Sequence, residues 1–287
     1  MELEMASTKV NGIDLAYHVV GEGRPLLLIH GTGVPASTWP ERWIARLAEQ
    51  VQVITFDYRG TGGTPAPAEP YSTRTLARDA SELLRAIGAY PADVLGHSMG
   101  GRVAQWVALD SPELTRSLIL DSSGPGDFGG DFPVTRGIPL QVAVEIAEMG
   151  MVGHFEHELR EVGFTPDYLA TDAPGFQEFY ESFVKNPTSI RDYLRLTTAR
   201  QLHQTAGLLR DITVPTLVLV GDHETTTGGT GSHVDQAKHM AAIIPGAELR
   251  ILEHLAHFHF WQDPEGTADV ILDWLGRVPR VGAVCPR

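Results

Sequence analysis

Gly96-His97-Ser98-Met99-Gly100-Gly101 is the stretch of this chain richest in chemical content. It directly follows the run Asp93-Val94-Leu95 and precedes Arg102-Val103-Ala104-Gln105-Trp106-Val107, whose spacing is helical. G-x-S-x-G between a strand and a helix is the setting of a nucleophile elbow. A sharp turn lifts the serine hydroxyl out of the sheet edge, and only small residues tolerate the crowding two positions on either side. The helix starting after Ser98 aims free backbone N–H groups at any anion formed there. A serine so placed attacks a carbonyl and forms a covalent intermediate.

A hydroxyl needs a base to be nucleophilic. The run Leu252-Glu253-His254-Leu255-Ala256-His257-Phe258-His259-Phe260-Trp261-Gln262-Asp263-Pro264 follows the last strand pattern and offers three histidines. Their spacing fits no helical metal-ligand pair, and His154-Phe155-Glu156-His157 fits neither HExxH nor HxxEH, so no metal is expected. The base in turn needs a carboxylate to hold its tautomer and stabilise the imidazolium. Asp222 and Glu224, after the strand pattern 216–221, compete for that role. Asp57, in an Asp-x-x-Gly turn, reads as structural. Gly60-Thr61-Gly62-Gly63 and Gly228-Gly229-Thr230-Gly231 lack the full GxGxxG spacing, and GxxxxGK[ST] is absent, so no nucleotide or other cofactor is expected.

The elements that must position these residues follow from periodicity. Asn11-Gly12 between alternating apolar residues over 8–17 predicts a β-hairpin with a tight primed turn. Short apolar runs at 26–30, 51–57, 92–96, 117–121, 216–221 and 248–252 read as strands buried on both faces. Between them, 73–88, 101–110 and 266–276 have helical spacing, with Gly88 as a stop. This alternation implies an α/β fold with a mostly parallel sheet and helices on both sides. Residues 122–210 break the rhythm: helical patterns at 140–151, 176–184 and 190–208, no strand, and seven of the ten Phe, entered through a Gly/Pro-rich linker at 122–130. They read as a helical insertion between two sheet strands.

Taken together, the motifs resemble the α/β-hydrolase superfamily over nearly the whole chain. They are Leu28-Ile29-His30-Gly31-Thr32-Gly33, Phe56-Asp57-Tyr58-Arg59-Gly60-Thr61-Gly62, the Ser98 elbow, the segment 217–224, and Ala256-His257-Phe258, with serine, carboxylate and histidine in that family's chain order. The resemblance implies a discontinuous core of residues 1–121 and 211–279, a helical cap over 122–210, and a tail at 280–287. It assigns the base to His257, seven residues before Pro264, with Ala256 where glycine is usual. It favours Glu224 as the acid, at the last position of G-x-x-D counted from Gly221, with Asp222 the alternative and Asp121 a third choice. The oxyanion hole would be the backbone N–H groups of Met99 and Thr32, so Met99→Ala should be mild. His30 would buttress its loop, and His254 and His259 would line or support the pocket.

The resemblance implies a cofactor-independent serine hydrolase acting on a carboxylic ester or lactone of a fairly apolar small molecule. Its rival is a C–C bond hydrolase of ring-cleavage products. The stretch from His30 to Trp39 resembles that group's H-G-x-G-P-G-A-x-x-W loop, but Val34-Pro35 replaces Pro-Gly and Phe258 stands where tryptophan is common. Thioesterase and perhydrolase chemistry share the same triad. Epoxide hydrolases place Asp where Ser98 stands. A small-molecule receptor on this fold is the non-enzyme alternative.

Composition bounds the rest. The 287 residues, 43% hydrophobic and 20% charged, exclude wholesale disorder. A net charge of −14 without a basic run argues against nucleic acid or an anionic membrane as partner. Cys285 is the sole cysteine, so no intrachain disulfide is possible and Ser98 is left as the nucleophile. The opening residues lack a signal-peptide pattern, and the longest apolar stretches are strand-sized, so a cytoplasmic protein is expected.

Overall fold

The computed structural model describes residues 5–127, 129, 138–171, 173–224 and 232–279. The tail at 280–287 with Cys285, the first four residues, parts of the linker at 122–130 and the polar loop at 225–231 lie outside the described residues. Eight strands form one sheet: β1 (Ala6–Val10), β2 (Ile13–Val20), β3 (Pro25–Ile29), β4 (Gln52–Phe56), β5 (Ala92–His97), β6 (Thr115–Asp121), β7 (Thr216–Gly221) and β8 (Glu248–Leu252). Their spatial order is β1-β2-β4-β3-β5-β6-β7-β8. β2 runs antiparallel to β1 and β4, while every pairing from β4 through β8 is parallel. Asn11 and Gly12 take positive φ (46° and 79°) at the hairpin tip, as a primed turn requires.

The helices are α1 (Glu41–Ala48), α2 (Thr73–Ile87), α3 (Met99–Asp110), α4 (Ile138–Glu158), α5 (Pro166–Leu169), α6 (Pro174–Lys185), α7 (Ile190–Gln201), α8 (His233–Ile243), α9 (His259–Gln262) and α10 (Pro264–Arg277). Ser72 caps α2 by accepting from Thr75 N–H, and Gly88 ends it in the left-handed conformation. The strand alternation is visible in the core. Leu27 and Ile29 of β3, Val94 of β5 and Leu118 and Leu120 of β6 join the layer under α2, α3 and α8. Leu26, Leu28, Leu95 and Ile119 point the other way, into the layer with Trp43 of α1 and Ile271 and Trp274 of α10. All six apolar runs are strands, and burial on both faces explains why the first five lack polar alternation. β8, expected to be buried on both faces, is instead an edge strand with Arg250 and Ile251 exposed.

The insertion holds α4 through α7 between β6 and β7. Gly150, at φ 78° and ψ 167°, kinks α4. The pattern at 190–208 is two pieces, α7 and a 3-10 turn at Ala206–Asp211. Phe155, Phe176, Phe179 and Phe183 belong to the same buried layer as Trp43 and Phe260, so the insertion shares its core with the sheet. Thr188 Oγ1 donates to Gly33 O at 2.8 Å and Ser182 Oγ to Ser37 O at 3.1 Å, tying it to the loop after β3. Among the described residues, no helix is long and apolar enough to cross a membrane.

Candidate active site

The site forms at the carboxyl ends of β3, β5, β6 and β7, where open parallel sheets place their ligands. Ser98 stands between β5 and α3 with φ 55° and ψ −120°, a conformation costing about 1–3 kcal/mol for a residue with a Cβ. Its surroundings enforce the turn. A Cβ on Gly96 would lie 2.2 Å from Gly100 O, and one on Gly100 would lie 1.9 Å from Ile29 O. The backbone on either side is anchored: Ser98 N–H donates to Asp121 O at 2.8 Å, and Ser123 Oγ donates to Ser98 O at 2.6 Å.

β7 ends in a tight turn that separates the two competing acids. Asp222 is exposed and faces His223, Oδ1 to Nδ1 at 2.6 Å. Glu224 is 2% exposed and its Oε2 accepts from His257 Nδ1 at 2.9 Å. The structure thus brings His257 to Glu224 and not to Asp222 or Asp121. Glu224 Oε1 accepts from Gly221 N–H at 3.0 Å and from the Ser122 hydroxyl. Oε2 also accepts from His233 Nδ1 at 2.8 Å. Burial pushes the Glu224 carboxyl up, but His257 and His233 outweigh it and hold the group well below the carboxylate range.

A second buried network lies alongside. Asp121 Oδ2 accepts from His97 Nδ1 at 2.9 Å and Oδ1 accepts from His259 Nε2 at 2.7 Å. Burial raises the Asp121 carboxyl, and the two imidazoles outweigh it and hold it low. Burial lowers His97 to about 4 despite its carboxylate partner, which keeps it neutral. His259 is raised, because Asp121 overcomes the effect of burial. His97-Asp121-His259 and Glu224-His233-His257 each gather three potential ligand atoms within 4.8 Å, the two places among the described residues that could hold a metal ion. In both, the facing atoms are joined by N–H to carboxylate hydrogen bonds.

The loop after β3 runs beside the serine: a Cβ on Gly31 would sit 3.5 Å from Ser98 Cβ. His30 Nδ1 accepts from Gly31 N–H at 2.7 Å, which leaves Nε2 as its donor toward Thr38 Oγ1 at 3.1 Å. Thr38 Oγ1 itself donates to Pro35 O at 2.6 Å. Burial holds His30 well below the imidazole range, and the ring stacks on Trp39 at 4.0 Å. These contacts brace the loop. Asp57 likewise accepts from the N–H groups of Ala36 and Gly63 at 2.7 and 2.8 Å, and it does not line the cavity that holds Ser98.

Gly31, Thr32, Ser98 and His257 line one cavity of about 320 Å³. Val34, Phe155, Leu159, Val162 and Phe258 give it apolar walls, but Glu145, Glu158, Glu161 and Arg200 add charge that sequence reading did not anticipate. The Met99 side chain is fully buried in the core. Truncating such a side chain costs about 2–5 kcal/mol, so Met99→Ala is not mild for stability. His254 is exposed and His259 is buried on Asp121; neither lines the cavity. His233, His97 and Ser122 were missed. His97 occupies the variable position of the elbow, and His233 follows a glycine-rich loop with no local pattern to mark it.

Comparison with known proteins agrees with this architecture. The chain is 35% identical to a soluble epoxide hydrolase of Corynebacterium sp. (strain C12) over 141 residues, which spans 46% of this chain and 47% of that protein. It is 28% identical to 2-hydroxymuconate semialdehyde hydrolase of Pseudomonas putida over 90% of this chain and 89% of that protein. Its fold is similar to the crystal structure of the enol-lactonase from Burkholderia xenovorans LB400, with a TM-score of 0.81 at 23% identity, covering 95% of this chain and all of that one. Residues 26–270 match the alpha/beta hydrolase family, and the chain belongs to that family of hydrolases.

Proposed function

We propose that this hydrolase cleaves a carboxylic ester or lactone of a small, fairly apolar molecule through an acyl-enzyme on Ser98. The observation that carries the reading is that Ser98, on its strained elbow, and His257, held by Glu224, line the same cavity. Ser98 Oγ attacks the carbonyl carbon while His257 Nε2 takes its proton. The N–H groups of Met99 and Thr32 receive the oxyanion. His257 returns the proton to the leaving alkoxide, which stays tethered when the substrate is a lactone. It then deprotonates water, whose attack releases the acid and restores Ser98. Glu224 holds His257 in the Nδ1–H tautomer throughout. Three carboxylates against one arginine on the cavity wall disfavour anionic acyl chains.

A C–C bond hydrolase is the second reading, favoured by the Pseudomonas putida relative aligned over most of the chain. The test assays p-nitrophenyl acetate and butyrate, a γ-lactone and a vinylogous diketone with wild type and Ser98→Ala. Ester or lactone turnover that falls by at least about 10³-fold in Ser98→Ala is expected. Turnover of the diketone alone would replace the first reading with the second. Absence of turnover together with tight ligand binding would make the protein a receptor.

A further inference from the structure

We propose that His233 is a positioning residue that shares the Glu224 carboxylate with His257 and thereby sets how strongly that carboxylate stabilises protonated His257. The inference rests on the reading of Ser98, His257 and Glu224 given above. Glu224 Oε2 accepts from two imidazoles at nearly equal distance, 2.8 Å from His233 Nδ1 and 2.9 Å from His257 Nδ1. The two rings lie 5.0 Å apart and within 12° of parallel, so both donors approach one oxygen from neighbouring directions. His233, the first residue of α8, is 4% exposed and does not line the cavity. Its reach to the chemistry is therefore through Glu224.

An oxygen that accepts two hydrogen bonds gives less negative charge to each donor. With His233 in place, Glu224 is a weaker partner for an imidazolium at His257. His233 also fixes a side chain one methylene longer than the usual aspartate, with Ser122 and Gly221 fixing the other oxygen. Burial keeps His233 itself neutral against the pull of Glu224, so it acts as an N–H dipole rather than a cation. The charged and titratable groups facing this trio are His97 on β5, Asp121 on β6, His259 on α9, His30 after β3 and Arg102 on α3. All remain in place when position 233 alone is changed.

The experiment compares wild type, His233→Leu and His233→Asn, the last keeping an N–H donor near the place of Nδ1. Two quantities are read: the pH profile of kcat/KM with p-nitrophenyl acetate, and the proton resonance of the His257 Nδ1–H by NMR. In His233→Leu the acid limb moves to higher pH, giving about a three- to tenfold loss of rate on that limb and less at the alkaline plateau. The Nδ1–H resonance moves downfield as its bond to Oε2 strengthens. His233→Asn stays close to wild type in both. An unmoved limb and resonance in folded His233→Leu, or equal shifts in His233→Asn, would overturn the proposal. If the resonance moves but wild type turns over no ester, the proposed reaction fails while the role of His233 stands.

Discussion

At the scale of single residues, two positions of sequence separate the carboxylate that meets His257, Glu224, from the one that faces His223, Asp222. The β7 strand ends at Gly221, and the turn sends residue 222 outward and brings the residue 224 carboxylate to His257 Nδ1. Glu224→Gln keeps the shape but removes the carboxylate that selects the Nδ1–H tautomer, and kcat should fall by about 10³–10⁴-fold. Asp222→Asn changes an exposed group and should stay within about twofold of wild type. Steady-state kinetics on a p-nitrophenyl ester decides it; collapse in Asp222→Asn alone would reverse the assignment. Much of this site was legible. Ser98 announced itself through flanking glycines, and His257 and Glu224 through their offsets from Pro264 and Gly221. His233 and Asp121 were not legible as partners, because their roles depend on the separation of strand ends in space rather than on any spacing along the chain.

At the scale of elements, the elbow works because β5, α3 and the end of β3 are packed backbone to backbone. Gly100 is where this is tightest, since an added Cβ meets the Ile29 carbonyl at 1.9 Å, and backbone cannot step aside as a side chain tip can. Gly100→Ala should destabilise the protein by about 3 kcal/mol or more and abolish turnover. Gly276, exposed near the end of α10 with open space around its missing Cβ, is the matched control. Gly276→Ala should be neutral or stabilise by up to about 1 kcal/mol through helix propensity. Urea unfolding of both variants checks the pair, and equal losses would mean that crowding at the elbow is not what demands glycine. The strands were readable as short apolar runs, and the long helices from their period and stops. α1 and α8 were not singled out, and the insertion's relation to the sheet was open. Its phenylalanines would look the same packed on each other or, as Phe179 is, against Phe258 and Trp261.

At the scale of the whole molecule, the chain buries many titratable groups, and their shifts set how it responds to acid. His30, His97, His203 and His233 are all lowered, chiefly by burial, so the folded protein holds them neutral. The unfolded chain protonates them near the ordinary imidazole value of about 6.5. Between there and the folded values the unfolded state binds more protons, so stability falls as pH falls, by up to about 1.4 kcal/mol per pH unit for each group. Glu224 and Asp121 add to this. Their folded carboxyls sit below the ordinary range, so the stability they confer is present at higher pH and lost as pH drops through their folded values. His259 has the opposite sign: it is raised, and what it contributes is full in acid and lost as pH rises through its folded value. Four lowered histidines outweigh one raised histidine. The urea midpoint should therefore decline from pH 6.5 to pH 4 rather than hold level. His203 isolates the effect, because among the described residues its nitrogens meet the Thr73 and Thr205 hydroxyls at 2.9 Å each, outside the cavity. His203→Asn should retain activity at pH 7 and show a shallower decline; a midpoint that is flat or rising toward pH 5 in wild type would show that these imidazoles are not held neutral by the fold.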